Sequence, residues 1–508
     1  MGDISVLEHI KSFESVACND RCRDVVDDDG YDDNDNQRWA NVFGDSKLED
    51  TLADVFFSYK MTKVNNITLP GLGLNIARYN AGGSGYRKYD NASMVPSPTI
   101  PKWKQIEGFW EDWNSTDPSS TSWNWSADKR QRSMLLKAQE RNADTFELFS
   151  NSPMWWMLYN HNPSGSASGS TDNLQKWNYD KHALYLAAVA SHARDKWGVS
   201  FGSVDAFNEP SSGWWKASNG QEGCHFGADT QSIVARMLRE ELDKQDLKGI
   251  RVSASDENSY TLALKTWKSF SKDTKAAVAQ VNVHGYEQAG GRRDLLFSAV
   301  DGKKLWNSEY GDGSASGLDL ASNLNLDFRW LHNTAYVYWQ MIDEASGWGM
   351  LQGNMEQASI EKINNKHYVF AHYTRHILPG FKIIDGGDDN TIAAYDGKTN
   401  KLVLVLLNKN SSERKVTIDL SKFSSTAGPC ARWRTSATTP SHSDKYVRDE
   451  GGCSITPKRT LEQLLTPESI VTLEIHAHSL PLDQPLRRTS GQQLCKAVDT
   501  AVVYVYIT

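Results

Sequence analysis

From Leu69 to about residue 340 the chain alternates two hydrophobic patterns. Short runs rich in β-branched and aromatic residues, bounded by Gly, Asn and Pro, predict strands at Gly73–Arg78, Thr145–Phe149, Val204–Phe207, Arg251–Ser255, Gln280–His284, Leu305–Ser308 and Ala335–Trp339. Between them apolar residues recur at spacings of three and four, which predicts helices over Ala127–Arg141, Tyr179–Trp197, Thr230–Lys244 and Leu318–Trp330. Strands and helices taking turns in this way build a parallel sheet wrapped by helices.

Seven strands are one short of a closed (β/α)8 barrel, so the first must come from upstream of Leu69. That region offers poor material. Residues 27–36 read Asp-Asp-Asp-Gly-Tyr-Asp-Asp-Asn-Asp-Asn, where adjacent carboxylates repel and Asp, Asn and Gly disfavour strands. The run also fails the EF-hand spacing, with Val25 where the first ligand should stand. The expected fold is therefore an α/β TIM barrel whose first strand is degenerate or missing. After Pro379 the texture changes to short β-like runs, Thr391–Tyr395, Leu402–Leu407, Lys415–Leu420 and Ile470–Ile475, which predict an all-β sandwich side domain. The expected organisation is an atypical acidic segment at 1–37, the barrel at 38–375, the sandwich at 376–480 and an atypical tail at 481–508. For the apolar run Ala501–Ile507, an added edge strand and an unpartnered tail are both open.

A length of 508 residues accommodates a barrel of roughly 250–400 residues plus a smaller domain. The net charge of -8, with no Lys/Arg block, argues against nucleic acid or an anionic membrane as partner. No apolar run approaches the roughly 18 residues of a membrane span, and Asp3, Glu8, Lys11 and Glu14 interrupt any signal-peptide core. The residues alone thus read as a soluble, intracellular chain without a visible leader. The 6 cysteines are too sparse for a disulfide framework and lack zinc spacing; Cys430 and Cys453 are the nearest candidates for a bridge. Sequons at Asn66, Asn91, Asn114, Asn124 and Asn410 match chance frequency and decide nothing. All but one of the 18 tryptophans precede residue 350, which fits a carbohydrate cleft as well as a large aromatic core, since indole rings stack on the apolar faces of sugars.

Two glutamates end strand-like runs about a hundred residues apart, in Ala206-Phe207-Asn208-Glu209-Pro210 and Leu305-Trp306-Asn307-Ser308-Glu309-Tyr310-Gly311. Pro210 stops the strand and turns the chain at the barrel rim, while Gly311, Gly313 and Gly317 supply a backbone that can approach a ligand closely. Glycoside hydrolysis needs two such carboxyl groups flanking one acetal bond, and the ends of two barrel strands can hold them at a fixed separation. His372 and His376 stand four apart without the remaining ligands of a metalloprotease pattern, so they read as a structural helix face. No phosphate-binding Gly-rich loop or nucleophile elbow occurs; neither a cofactor nor a metal is implied.

The stretch from Trp39 to Leu480 resembles family 30 glycoside hydrolases, and within them the fungal endo-β-1,6-galactanases. The resemblance is carried by residues 69–80, Phe149 to Met157, Ala206 to Pro210, Asn282-Val283-His284-Gly285-Tyr286, Gly290 to Asp294, Leu305 to Gly313 and Tyr338-Trp339-Gln340, with rim features at Asn160 to Pro163 and Glu222 to Phe226. It implies a retaining endo-hydrolase of β-1,6-linked galactan, monomeric and extracellular, with Glu209 as acid/base and Glu309 as nucleophile. By the same resemblance Asn208 hydrogen-bonds the sugar 2-hydroxyl and Tyr286 donates to the nucleophile. Arg78 is the cation expected near Glu309, and Trp156 and Trp339 the rings expected against the reactive sugar. For His284 a role at the sugar and an ordinary satisfied core histidine are both open. Two other outcomes stand beside this one: a β-1,6-glucanase or other family 30 β-glycosidase, and an inactive carbohydrate-binding protein that has lost barrel strand 1.

Overall fold

The computed structural model describes residues 38–437, 444–479 and 504–507; the acidic run at 27–36 and most of the tail lie outside the described residues. The described chain opens with helices α1 (Arg38–Phe43) and α2 (Glu49–Phe57) and an antiparallel hairpin of β1 (Met61–Val64) and β2 (Ile67–Pro70). The hairpin stays apart from the sheet that follows.

That sheet contains β3 (Ile76–Asn80), β4 (Thr145–Phe149), β5 (Ser203–Asp205), β6 (Arg251–Glu257), β7 (Val278–His284), β8 (Lys304–Tyr310) and β9 (Ala335–Tyr338), paired in chain order and parallel throughout. The connections carry α3 (Lys129–Gln139), α4 (Tyr179–His192), α5 (Ala228–Lys244), α6 (Tyr260–Ser269), α7 (Lys272–Ala277), α8 (Arg293–Ala299) and α9 (Leu318–Leu326). On α5 the inward residues Thr230, Gln231, Val234, Ala235, Leu238 and Leu242 keep the three-and-four spacing that buries one stripe of a helix. This is a (β/α)8-type barrel with seven strands among the described residues, as the hydrophobic pattern predicts. Its two edges, β3 and β9, face each other across a cavity of about 690 Å³ walled by Ile76, Arg78, Trp306, Tyr336, Tyr338 and Phe370, among others.

The first barrel strand begins three residues later than the pattern suggests. Gly73 and Leu74 are spent elsewhere: their N–H groups donate to the carbonyls of Ser58 and Phe56, at 3.0 and 2.9 Å. An extended run already hydrogen-bonded to upstream chain cannot also join the sheet.

Beyond the barrel, β10 (Ile342–Asp343), β11 (Leu351–Asn354) and β12 (Ser359–Ile363) form a small sheet, followed by helix α10 (Asn365–Thr374). The remainder is β13 (Lys382–Ile384), β14 (Thr391–Asp396), β15 (Lys401–Asn408), β16 (Arg414–Asp419), β17 (Phe423–Ser436), β18 (Val447–Cys453), β19 (Thr460–Leu465), β20 (Ser469–Ser479) and β21 (Tyr504–Ile507). A six-stranded sheet in the order β13-β14-β15-β20-β17-β18 faces a three-stranded one, β19-β16-β21. Of the two readings of the terminal apolar run, the edge strand is the one observed, because β21 pairs antiparallel with β16. Cys430 and Cys453 form the disulfide, tying β17 to β18.

Strand β15 explains how this domain sits on the barrel. Leu402, Leu404 and Leu406 enter the sandwich core, while Val403, Val405 and Leu407 join the barrel's core. A period of two places alternate residues on opposite faces, so an unbroken apolar run is what a sheet buried on both faces requires. Helix α10 lies at this junction. His372 is buried and neutral, burial holding its pKa well below the ordinary value, and its ring nitrogens meet the hydroxyls of Thr472 and Thr435 at 2.7 and 2.9 Å. His376 meets Glu474 at 2.7 Å. Both histidines serve the barrel–sandwich contact.

Candidate active site

The register of the parallel ladder sets His284, the last residue of β7, beside Glu309 on β8. Glu209 reaches the same place from the bend after β5. Its backbone is left-handed, with φ of 46°, a conformation that costs a non-glycine residue about 1–2 kcal/mol. Three bonds hold it there. The Glu209 N–H donates to the Asp256 carbonyl at 2.8 Å, and its own carbonyl accepts from Trp215 Nε1 at 2.8 Å and from the Ser212 N–H at 3.1 Å.

Glu209, His284 and Glu309 are all buried, and one carboxylate oxygen of each glutamate and a ring nitrogen of the histidine lie within 4.8 Å of one another. His284 Nδ1 is 2.9 Å from Glu209 Oε1 and 3.4 Å from Glu309 Oε1, and Nε2 is 3.3 Å from Asp256 Oδ2. Burial works against a charged imidazole, but Glu309 and Asp256, with the hydrogen bonds to Asp256 and Glu209, outweigh it and hold the His284 pKa well above its ordinary value. The charged form of the ring is thus favoured, Nδ1–H donating to Glu209 while Nε2 stands at ion-pair distance from Asp256. Although three ligand-type groups converge here, a metal ion would have to displace that proton. Asn258 Nδ2 adds a donor to Glu209 Oε1 at 3.0 Å, and the Tyr286 hydroxyl donates to Glu309 Oε1 at 3.1 Å.

Arg78, on edge strand β3, is the second cation. Its guanidinium bonds Glu147 through Nε at 2.9 Å and Asp256 through Nη2 at 2.7 Å, and Nη1 stands 3.7 Å from Glu309 Oε2. The group also lies over the Phe149 ring, 4.1 Å from its centroid. Burial opposes the Asp256 charge, yet Arg78 and His284 together hold that carboxyl well below the usual carboxylate range. Glu309 goes the other way. Burial, reinforced by the charges of Glu209 and Asp256, pushes its carboxyl up to about 7 despite His284 and Arg78. Arg78 thus sits near Glu309 as expected, but its closest bonds go to Glu147 and Asp256.

Below the pair the barrel interior is polar. Glu147 accepts from Ser203 Oγ at 2.7 Å, Ser253 Oγ at 3.0 Å, Gln280 Nε2 at 3.0 Å and Asn282 Nδ2 at 2.9 Å. Asn282 also donates to Asp205 at 3.0 Å. Burial, with the charges of Asp256 and Glu147 close by, drives the Asp205 pKa far up and favours its protonated form.

The remaining candidates divide. Asn208 is buried next to Glu209 and its Oδ1 has no protein partner, so an acceptor is free for a substrate hydroxyl. Trp156 is 4 % exposed and spends its Nε1–H on the Trp110 carbonyl at 2.8 Å; Trp339 is 7 % exposed and lines the seam cavity. The open indoles among the described residues are Trp113, Trp177, Trp214 and Trp330, at 36 %, 64 %, 37 % and 43 %. The close approach that Gly311 permits is to protein, since a Cβ there would stand 2.3 Å from the Trp339 carbonyl oxygen. The two rim segments meet directly, with the Gly223 N–H donating to the Pro163 carbonyl at 2.9 Å. Asp256, Asn258, Trp215 and Glu147 escape the sequence reading. The one local signal was the polar run Ser255-Asp256-Glu257-Asn258 closing a predicted strand.

A buried carboxylate pair at the carboxyl ends of parallel barrel strands, set among donors and beside free acceptors, defines an O-glycosyl hydrolase. The family model for O-glycosyl hydrolase family 30 matches residues 20–281. An endo-β-1,6-galactanase of Hypocrea rufa is 51% identical over 402 residues, covering 78% of this chain and 82% of that protein. The chain belongs to glycoside hydrolase family 30. Solved structures similar to it include a family 30 subfamily 8 xylanase from Clostridium acetobutylicum, with a TM-score of 0.59 at 18% identity over 84% of this chain and 92% of that one. The catalytic domain of a family 30 xylanase C from Talaromyces cellulolyticus gives 0.61 at 16% identity over 85% and 92%. At such identities the likeness speaks for the fold. No described helix is long and apolar enough to cross a membrane.

Proposed function

We propose that the protein hydrolyses β-1,6-linked galactan from within the chain, with retention of configuration. The observation that carries the substrate is the 51% identity to the Hypocrea rufa protein, which is named for that activity. Retention is supported by the proximity of the two carboxylates, whose oxygens lie within 4.8 Å; enzymes that attack directly keep carboxyl groups about 5–5.5 Å apart, and those that admit a water keep them several ångström farther. In this reading Glu309 attacks the anomeric carbon and Glu209 protonates the leaving oxygen. Water then enters, Glu209 takes its proton, and the glycosyl–Glu309 ester is released. Tyr286 and His284 steady the Glu309 charge, Arg78 offsets the carboxylates from the barrel side, and Asn208 receives the sugar. Trp339, which lines the same cavity as Glu309, contributes a wall close to the pair.

The barrel at 38–375 carries this chemistry, with the sandwich at 376–480 as a packed support. We place the protein outside the cell as a monomer; the Cys430–Cys453 disulfide suits an oxidising compartment. One observation favours a second reading, a galactan-binding protein without hydrolysis: the described barrel has seven strands rather than eight. Release of reducing sugar from de-arabinosylated β-1,6-galactan by the full chain, beside Glu309→Gln, decides between them. Activity lost in the variant supports the hydrolase. Binding without release by the parent, in folded protein, supports the second reading, and release from β-1,6-glucan alone would move the substrate.

A further inference from the structure

Asp256 stands where every part of the carboxylate machinery is attached. It is next to last in β6, is fully buried and has a left-handed backbone with φ of 60°. Its carbonyl accepts the Glu209 N–H at 2.8 Å. Oδ1 accepts from the hydroxyl of Ser308, the residue before Glu309, at 2.5 Å, and Oδ2 meets Arg78 Nη2 at 2.7 Å and His284 Nε2 at 3.3 Å. The backbone of the proposed acid/base, the neighbour of the proposed nucleophile and the two cations thus all converge on one residue. Nothing in the assigned chemistry asks Asp256 to touch the sugar.

We propose that Asp256 is a positioning residue that fixes the His284 ring and the backbones of Glu209 and Glu309 relative to one another, acting on the reaction through them. The proposal rests on the reading of Glu209 and Glu309 given above. Its physical basis is geometric. Groups that must meet a transition state lose about 10²-fold in rate for a misplacement on the order of 1 Å, and here one carboxylate spans β3, β7 and β8 while its carbonyl reaches the bend after β5. It is also electrostatic. His284 is faced by Glu209, Glu309 and Asp256, with Arg78 behind Asp256 and the carboxyls of Asp205 and Glu147 beneath. Of the three carboxylates facing the ring, Asp256 alone meets Nε2, and so leaves Nδ1–H free for the catalytic pair.

The test is Asp256→Asn and Asp256→Glu in the full chain, with steady-state kinetics on β-1,6-galactan and a His284 titration by ¹³C-histidine NMR, assigned with His284→Gln. For Asp256→Asn the expected result is a kcat down about 10²-fold with KM within about threefold, and a His284 midpoint moved to lower pH. Asp256→Glu keeps the charge but displaces it, so its His284 midpoint stays near the parent's while kcat falls at least about tenfold. A kcat within about threefold of the parent in either variant, or an unmoved midpoint in Asp256→Asn, overturns the proposal. Should Asp256→Asn not fold, the kcat of Asp256→Glu alone decides. A parent that releases no sugar would defeat the functional reading instead, and the substrate-free His284 titration would still decide this one.

Discussion

Replacing the proposed nucleophile should make the protein more stable, and only at neutral to alkaline pH. Glu309 is 5 % exposed and its carboxyl is pushed up to about 7, by burial first and then by the charges of Glu209 and Asp256. In the unfolded chain the same group returns to its ordinary 4.5. A carboxyl whose folded pKa lies above its unfolded one retains its proton on folding, so its contribution is intact below pH 4.5 and is lost as pH rises to 7. At about 1.4 kcal/mol per tenfold change in proton affinity, ionised Glu309 costs the folded state roughly 3 kcal/mol by pH 8. Gln has nearly the same shape and cannot ionise. Glu309→Gln and the parent should therefore unfold at similar urea concentrations at pH 4, followed by tryptophan fluorescence, and the variant should gain about 3 kcal/mol over the parent at pH 8. This is the trade of stability for activity expected where a charge must be kept in a dry site. A stability gap that fails to widen between these pH values, or that widens in the parent's favour, would refute the electrostatic reasoning.

Two further outcomes follow from the supports of the site. Trp215→Phe removes the Nε1–H that meets the Glu209 carbonyl at 2.8 Å and leaves it only the Ser212 N–H; a lost hydrogen bond costs about 0.5–1.5 kcal/mol, so denaturant midpoints should fall and kcat drop about tenfold with KM held. Gly311→Ala would place a Cβ 2.3 Å from the Trp339 carbonyl oxygen, a clash with backbone that cannot yield, so the variant should lose activity and soluble expression together, read by kinetics and circular dichroism.

Much of the barrel is legible in the sequence because its strands are buried on both faces and its helices carry apolar stripes. Thr145–Phe149 is observed with the predicted bounds, and α5 differs from its prediction by two residues at one end. Strand β17 escapes because Gly428 and Pro429 interrupt its pattern, at the place where its pairing with β20 shifts register. The glutamates are readable since each sits in a local context, Pro210 after one and Gly311 near the other. Asp256 is not readable in this way. Its significance arises only when β3, β6, β7 and β8 come together, and in the sequence it is one more polar residue in a Ser-Asp-Glu-Asn run. The aromatic expectation was diluted for a related reason, since composition counts tryptophans without saying which are spent on packing, as Trp156 is on Trp110.

The seam between β3 and β9 has a mechanical consequence. A closed ring of strands shares any local strain around its circumference, whereas an open one concentrates it at the two free margins. Arg78 belongs to one of those margins and Glu309 to the strand next to the other, and both border the cavity between them. On that side of the barrel the guanidinium and the carboxylate reach toward each other, 3.7 Å apart. A displacement of the β3 margin would carry the Arg78 guanidinium away from Glu309 and weaken its part of the charge compensation there, so the stiffness of that margin bears on the acidity of the carboxyl.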